Sequence, residues 1–488
     1  MKTVKKNISE EKECGRVYTP DYIVNDILNL SDYYGKSILK KNVIDNSCGD
    51  GAFLCEIVKR YCEAGLSAGL TPYEISVDLS EYVHGIEIKK DECDKCINNV
   101  NSVIRYYGID NVNWDIICGD ALSINKYNSK MDYVFGNPPY VRVHNLGENF
   151  DKIKKFSFAQ GGMTDIFIVF YEIGIKMLNE KGILGYITPN SFFNSLAGSY
   201  MREVIFRENL LEKIVDMKHY QAFSATTYTA IVILRKNRKN SKVDYYNFNE
   251  NTLLPYYVDS LLSSDFFVFG NYYFAENEKL KLIQKVYSNY GKSDIAVKNG
   301  YATLCDGVFI NDFDFDSQYI IPVVKSSKGI KQKIFYPYNK KAQLISEDEI
   351  RQDNRIYSYL IKNKDKLCKR SNEKKSDKYW YAFGRSQAIG DTYKNKLTIN
   401  SLIRDEKDLK FVSAPSGVGV YGGLYLVSET VPVEEIKNVL QSREFMMYVS
   451  LLGKYKSGGY YTYSSKDVKA YLDYKFAYNG GINEYVDK

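Results

Sequence analysis

From Asn42 to Arg235 the chain repeats one plan: a short run of β-branched and apolar residues, a turn, then a longer segment of helical length and period. "KNVIDNSCGDGAFLCEIVKRYCEAG" reads as a strand at Val43–Asp45, a glycine-containing turn and a helix. "VHGIEIKKDECDKCINNVNSVIRYYG" repeats it, with a strand at Val83–Glu87 and a helix that stops at Gly108. "NWDIICGDAL" and "MDYVFGNPPY" each run from strand to turn, and "TDIFIVFYEIGIKMLNEKG" is helical up to Gly182. "ILGYITPNSFF" reads as strand then loop, and "TTYTAIVILRK" as a late strand. Strands that alternate with helices pair in parallel, and the helices cover both faces of the sheet. Right-handed crossovers then bring the C-terminal ends of the strands to one edge, where such sheets bind ligands. The predicted fold is therefore α/β and Rossmann-like, with a mostly parallel sheet.

A chain of 488 residues has room for two or three domains. After Arg235 the βα rhythm fades: "KNRKNSKVD" is short, polar and basic and reads as a linker. The expected division is residues 1–240 and residues 241–488, the second a mixed α+β domain. Hydrophobic residues make up 44% and charged residues 26%, a globular composition rather than a disordered one. The net charge of +6 is compatible with a polyanionic partner without requiring one. Forty-five tyrosines and 24 phenylalanines against 2 tryptophans reflect compositional bias more than a stacking surface. Nine scattered cysteines form no disulfide framework, and the N-terminal "MKTVKKNISEEKECG" has no apolar core. No run approaches the ~18 apolar residues of a membrane span. A cytoplasmic protein with reduced thiols and no membrane association is expected.

Three consecutive strand ends carry residues suited to a nucleoside. "DNSCGDGAFL" (Asp45–Leu54) places glycines at 49 and 51 where backbone meets ligand, with a helix N-terminus behind them. No Gly-Lys-Ser/Thr follows, so it is not a phosphate-binding Walker loop. Glu87 ends the next strand, where a carboxylate can accept both hydroxyls of a ribose. Asp120 ends the third and can accept from an exocyclic amine such as adenine N6. Each alone also suits an ordinary turn or a solvated charge; together they suggest an adenosine-containing cofactor.

The fourth strand breaks into Gly136-Asn137-Pro138-Pro139-Tyr140. Two adjacent prolines donate no backbone hydrogen bonds, so a central strand cannot continue through them. An exocyclic aromatic amine is a poor nucleophile because its lone pair is delocalised into the ring. Accepting hydrogen bonds from both of its N–H groups returns density to nitrogen. The Asn137 side-chain oxygen can accept one and the Pro138 carbonyl the other, held in place by the two rings. Tyr140 offers a face on which a base can stack.

With these segments in this order, the chain resembles the γ-class DNA adenine-N6 methyltransferases that use S-adenosyl-L-methionine. "GRVYTPDYIVNDIL" (Gly15–Leu28) is similar to the segment ahead of the cofactor turn in that class, with Tyr18, Thr19 and Pro20 matching its Tyr-Thr-Pro. Gly182–Phe193 resembles another family segment, and Ala222–Leu234 the loop whose aromatic, here Phe223, stacks on the flipped adenine. The resemblance covers Gly15 to about Leu234. Asn46 departs from it, standing where many relatives have proline or another small residue. The resemblance implies a class I methyltransferase domain followed by a target-recognition domain. It implies cofactor binding by Tyr18, Thr19, Pro20, Asp45, Cys48, Gly49, Gly51, Glu87, Ile88, Asp120, Ala121 and Asn137. It assigns catalysis to Asn137, Pro138, Pro139 and Tyr140 with Phe223. The partner it implies is double-stranded DNA, methylated at a short site by a monomer, with a separate restriction endonuclease possible.

The C-terminal half matches less of the family: Lys378–Gln387 and Tyr425–Ser442 are similar to pieces of target-recognition domains. The basic run Asn363–Arg385 could contact phosphates, and Gly453–Val468 could approach DNA. No metal is expected. Cys93-x-x-Cys96 has no second pair at usable spacing, and His84, His144 and His219 are scattered. Four rival readings remain. A protein glutamine-N5 methyltransferase shares Asn-Pro-Pro-Tyr but is shorter, with a helical domain in front. An RNA adenine methyltransferase shares the tetrapeptide. A DNA-specificity subunit without catalysis would not need Asn137–Tyr140 intact. A nuclease fusion would carry its nuclease ahead of Gly15, where fourteen residues stand, so no endonuclease activity is expected of this chain.

Overall fold

The computed structural model describes residues 18–141, 150–161, 164–223, 227–289, 291–370, 379–385 and 387–477. Two units divide between Lys281 and Leu282, inside the helix Asn277–Ser288.

The first unit opens with helix α1 (Asp21–Leu30), which buries Ile23, Val24, Ile27 and Leu28 at helical spacing. Strand β1 (Val43–Asp45) leads through the glycine turn into α2 (Ala52–Ser67). Helix α3 (Pro72–Tyr82) starts at a Thr71–Glu74 capping box with proline in its first turn. Next come β2 (Val83–Glu87), α4 (Lys90–Tyr106), β3 (Asp115–Cys118) and β4 (Met131–Gly136). After them stand α5 (Ile166–Met177), β5 (Leu178–Pro189), α6 (Ser199–Arg207), β6 (Leu211–Asp216), β7 (Thr229–Arg235), β8 (Lys242–Asn249) and β9 (Leu254–Leu262).

All nine strands form one sheet in the order β3-β2-β1-β4-β5-β7-β6-β8-β9. The pairs from β3 to β5 are parallel, and β7 runs antiparallel to both β5 and β6. Val43, Ile44, Val134 and Phe135 are buried, as expected of parallel strands covered on both faces. One apolar cluster joins α1, α2, α4 and the central strands.

Three expectations need correction. The helix read up to Gly182 ends at Met177. Leu178 already pairs with Met131, so the sheet takes over the end of the segment. The basic stretch after Arg235 is not a linker: Lys236 Nζ donates to Leu178 O and Asn237 Nδ2 to Glu180 O, at 2.8 and 2.7 Å. The boundary at residue 240 moves to residue 281, because β8 pairs in parallel with β6 and β9 closes on β8. The strands beyond Arg235 carry many tyrosines and asparagines, which hid their membership of the sheet.

A small hairpin of β10 (Phe267–Val268) and β11 (Asn271–Tyr272) completes the first unit. Among the described residues the second unit contains three small sheets. One pairs β12 (Ala296–Asn299), β15 (Lys396–Ile399), β17 (Phe411–Ala414) and β19 (Leu424–Val427). Another pairs β13 (Ile320–Lys325), β14 (Ile330–Phe335) and β18 (Gly419–Tyr421). The last holds β16 (Leu402–Ile403), β20 (Tyr455–Lys456) and β21 (Tyr460–Thr462). Trp380, Tyr381 and Phe383 are buried in the unit's aromatic core. Among the described residues no helix is long and apolar enough to cross a membrane.

Candidate active site

The C-terminal ends of β1, β2, β3 and β4 converge on a cavity of about 250 Å³. The turn after β1 is tied to β2 at two points. Cys48 N donates to Ile86 O at 2.9 Å, and Gly49 N donates to the Glu87 carboxylate at 3.0 Å. The other Glu87 oxygen accepts from Lys89 N at 2.9 Å, so the carboxylate organises both loops while facing the cavity. Gly49 and Gly51 have φ of +52° and +95°, which side chains rarely adopt. A Cβ on Gly51 would also lie 2.9 Å from Cys96 Sγ, so this glycine lets α2 and α4 approach.

Asp45 is buried, with Ser47 N donating to its Oδ1 at 3.0 Å. Burial pushes its carboxyl up to about 8, outweighing that hydrogen bond, and the charges of Glu87 and Asp50 push the same way. Gly136 sits opposite with φ +153°, and a Cβ there would fall 2.8 Å from Asp45 Oδ1. A side chain at residue 136 would therefore collide with the carboxyl where β4 turns into the tetrapeptide. Asp120 Oδ1 accepts from Leu122 N at 3.0 Å and its Oδ2 from Lys152 Nζ at 3.3 Å.

The tetrapeptide follows β4. Asn137 lines the cavity, and its Nδ2 donates to Thr19 Oγ1 at 3.1 Å. Ser47 Oγ donates to Asn137 O at 3.5 Å. Pro139 lines the cavity and Pro138 is buried behind it. The Tyr140 hydroxyl donates to Ile187 O at 3.2 Å, and burial raises its phenol well above the usual range. Its ring meets Phe223 edge-on, with centroids 6.1 Å apart and planes at 71°, and Phe167 at 6.4 Å and 78°.

Of the residues singled out in the sequence, Tyr18, Thr19, Asp45, Cys48, Gly49, Glu87, Ile88, Asp120, Ala121, Asn137 and Pro139 line this one cavity. Pro20 and Gly51 instead cap α1 and α2. Tyr140 and Phe223 stand together beyond the cavity wall, against the core. Glu92, Asp50, Lys89, Ile166 and Phe170 also line the cavity and were missed. Glu92 reads in sequence as an acidic residue in the first turn of a helix. Ile166 and Phe170 sit in α5, which is almost wholly buried, so no periodicity marks the cavity side.

The other candidates are structural. His84 bridges Asp115 at 2.8 Å and Asn42 at 3.2 Å. Cys93 and Cys96 are buried in α4. His219 packs near Tyr228, and His144 lies outside the described residues. Part of the basic run, residues 371–378, also lies outside them. Its Arg370 is a staple within the second unit and not a free cation: the guanidinium donates to the carbonyls of Thr303, Leu367, Trp380 and Ala382.

A sheet in the order 3-2-1-4-5-7-6 with its seventh strand antiparallel, and a cavity at its strand ends, defines a class I methyltransferase fold. Residues 53–223 match the family described as Eco57I restriction-modification methylase. The chain is 25% identical over 415 residues to the Type II methyltransferase M.BstVI of Geobacillus stearothermophilus, covering 75% of this chain and 73% of that one. It is 22% identical over 521 residues to the Type II methyltransferase M.HindII of Haemophilus influenzae, covering 98% and 89%. It is also similar to the Type II restriction enzyme and methyltransferase RM.Eco57I of Escherichia coli, at 26% identity. That match covers 76% of this chain and 47% of the relative, so the chain spans about half of that longer protein. Among solved structures, the Type IIL restriction-modification enzyme MmeI in complex with DNA superposes with a TM-score of 0.61 at 14% identity. It covers 91% of this chain and 63% of the MmeI chain.

Proposed function

We propose that this chain transfers a methyl group from S-adenosyl-L-methionine to N6 of an adenine flipped out of double-stranded DNA, at a short specific site. The observation that carries the reading is the place of Asn137: it lies on the wall of the cavity that holds Glu87 and Asp120, its amide nitrogen engaged by Thr19. The amide is thereby oriented, and its oxygen is the atom able to accept from an amine.

The donor set suits the cofactor. Among the described residues the cavity is lined by the carboxyl groups of Asp50, Glu87, Glu92 and Asp120, beside the protonated Asp45, against one lysine, Lys89. Such a wall favours a ligand with cationic ammonium and sulfonium groups and disfavours a phosphate. Glu87 would hold the ribose hydroxyls and Asp120 the adenine amine, with Ile88 and Ala121 as apolar contacts. The bound cofactor supplies an electrophilic methyl group.

The protein's own part is to present the nucleophile. A base in the duplex stack cannot reach the cavity, so it must be extruded. Tyr140 and Phe223 would clamp it. Asn137 Oδ1 and the Pro138 carbonyl would accept from the two N6–H groups, raising electron density on nitrogen at a position fixed by Pro138 and Pro139. No general base is needed, because the alkylated nitrogen loses its proton readily. The second unit would read the target sequence.

The test is modification-sensitive single-molecule sequencing of a host genome expressing this chain, beside one expressing Asn137→Ala. N6-methyladenine at one motif in the first and not in the second is the expected result. Soluble protein that binds S-adenosylmethionine but leaves no mark on DNA would move the substrate to RNA or a protein amide.

A further inference from the structure

Asn190 directly follows β5, which lies between β4 and β7 in the sheet. Gly136 pairs with Tyr186 in parallel, so Asn137–Tyr140 runs on beyond the end of β4 beside Ile187–Asn190, where β5 stays paired with β7 up to Pro189. The Tyr140 hydroxyl bond to Ile187 O joins the two segments. On the other side Pro189 pairs with Thr229, and Asn190 N donates to Tyr228 O at 2.9 Å. Because β7 is antiparallel, the segment that precedes it, with Phe223, arrives at the same edge. The two rings proposed to clamp the base thus come from the strands on either side of β5, and Asn190 ends the strand between them.

Asn190 is only 9% exposed, and its Nδ2 is buried without an acceptor among the described residues. Buried amide donors are almost always paired, and an exception calls for a reason. Thr188, two residues earlier, is fully buried and paired with the Tyr171 hydroxyl at 2.9 Å, so this end of the strand otherwise satisfies its polar groups. A flipped adenine offers the missing acceptor. Its N1, N3 and N7 are ring nitrogens with in-plane lone pairs, distinct from the N6 that Asn137 and Pro138 would hold.

We propose that Asn190 is a base-reading residue of this site: its Nδ2 donates a hydrogen bond to a ring nitrogen of the extruded base. The inference rests on the methyltransferase reading above and adds a contact that discriminates the base rather than activates it. It separates adenine from analogues lacking one ring nitrogen, since the donor is then left buried and unpaired.

The experiment uses duplexes carrying the motif found by sequencing, with the target adenine replaced by 1-deaza-, 3-deaza- or 7-deazaadenine. Single-turnover methylation is measured for the wild type, Asn190→Ala and the isosteric Asn190→Asp, with S-adenosylmethionine affinity as the check on folding. Both variants should lose about tenfold or more on adenine, the scale of one hydrogen bond in a dry site, and keep cofactor affinity within about twofold. One deaza analogue should cost the wild type a similar factor and cost Asn190→Ala nothing further. Equal losses for wild type and Asn190→Ala on all three analogues would overturn the role of Asn190 and leave the methyltransferase reading standing. A wild type that methylates no adenine duplex would overturn both. Should Asn190→Ala fail to fold, the same comparison with Asn190→Asp decides.

Discussion

Asn137 Nδ2 donates to Thr19 Oγ1 at 3.1 Å across 118 residues of sequence, joining the tetrapeptide after β4 to the segment just ahead of α1. With the amide nitrogen on the hydroxyl, the oxygen is left as the acceptor that the proposed chemistry needs, whereas a rotated amide would present a donor there. Thr19 is therefore a positioning residue for Asn137. Thr19→Val should lower single-turnover methylation about tenfold, the worth of one orienting hydrogen bond of ~1.4 kcal/mol, while Thr19→Ser stays near wild type. A Thr19→Ser variant as impaired as Thr19→Val would instead point to methyl packing.

Tyr140 and Phe223 touch edge-on at 71°, which leaves no parallel slot between their faces. Insertion of a base must turn or separate them. Phe223→Ala should weaken placement of the base by the ~1–3 kcal/mol that base–aromatic stacking provides, seen as reduced 2-aminopurine fluorescence enhancement at the target position. Cofactor affinity should change by less than about twofold. Matched losses in both would place Phe223 with the cofactor.

The Asp45 carboxyl, raised to about 8 from an ordinary 3.8 mainly by burial, makes stability pH-dependent with a definite sign. The native state keeps a proton that the unfolded chain releases, so this contribution is fully present below the unfolded value and is lost as pH rises through about 8. Asp45→Asn should therefore gain on the wild type between about pH 5 and pH 9 in urea denaturation. Parallel pH profiles for the two proteins would show Asp45 ionised throughout.

Arg370 donates to four backbone carbonyls and lies 5.2 Å over the Phe309 ring. Arg370→Ala should destabilise the protein by ~2–4 kcal/mol by leaving buried carbonyls unpaired, and lysine should not rescue it, lacking the planar fork. Unchanged denaturation midpoints would return Arg370 to the phosphate-contact reading.

The alternation of strands and glycine turns is legible in the residues alone, because a parallel sheet needs that local order. So are Glu87, Asp120 and Asn137, since strand ends of such a sheet share one edge and their chemistry is carried by residue type. Gly51 is legible only in part: its turn role shows in sequence, its contact with Cys96 does not.

By itself the sequence determined the βα plan, the cavity edge and the residues suited to a nucleoside and an amine, since periodicity and turn chemistry are local properties. Tertiary structure alone decided that β8 and β9 extend the same sheet, that α5 gives up Leu178 to β5, and that Trp380, Tyr381 and Arg370 serve the core. It also decided that Thr19 orients Asn137 and that Asn190 stands between the segments of Tyr140 and Phe223. Those outcomes depend on strand order and burial, which bring together groups far apart in the chain and leave no periodic trace in it.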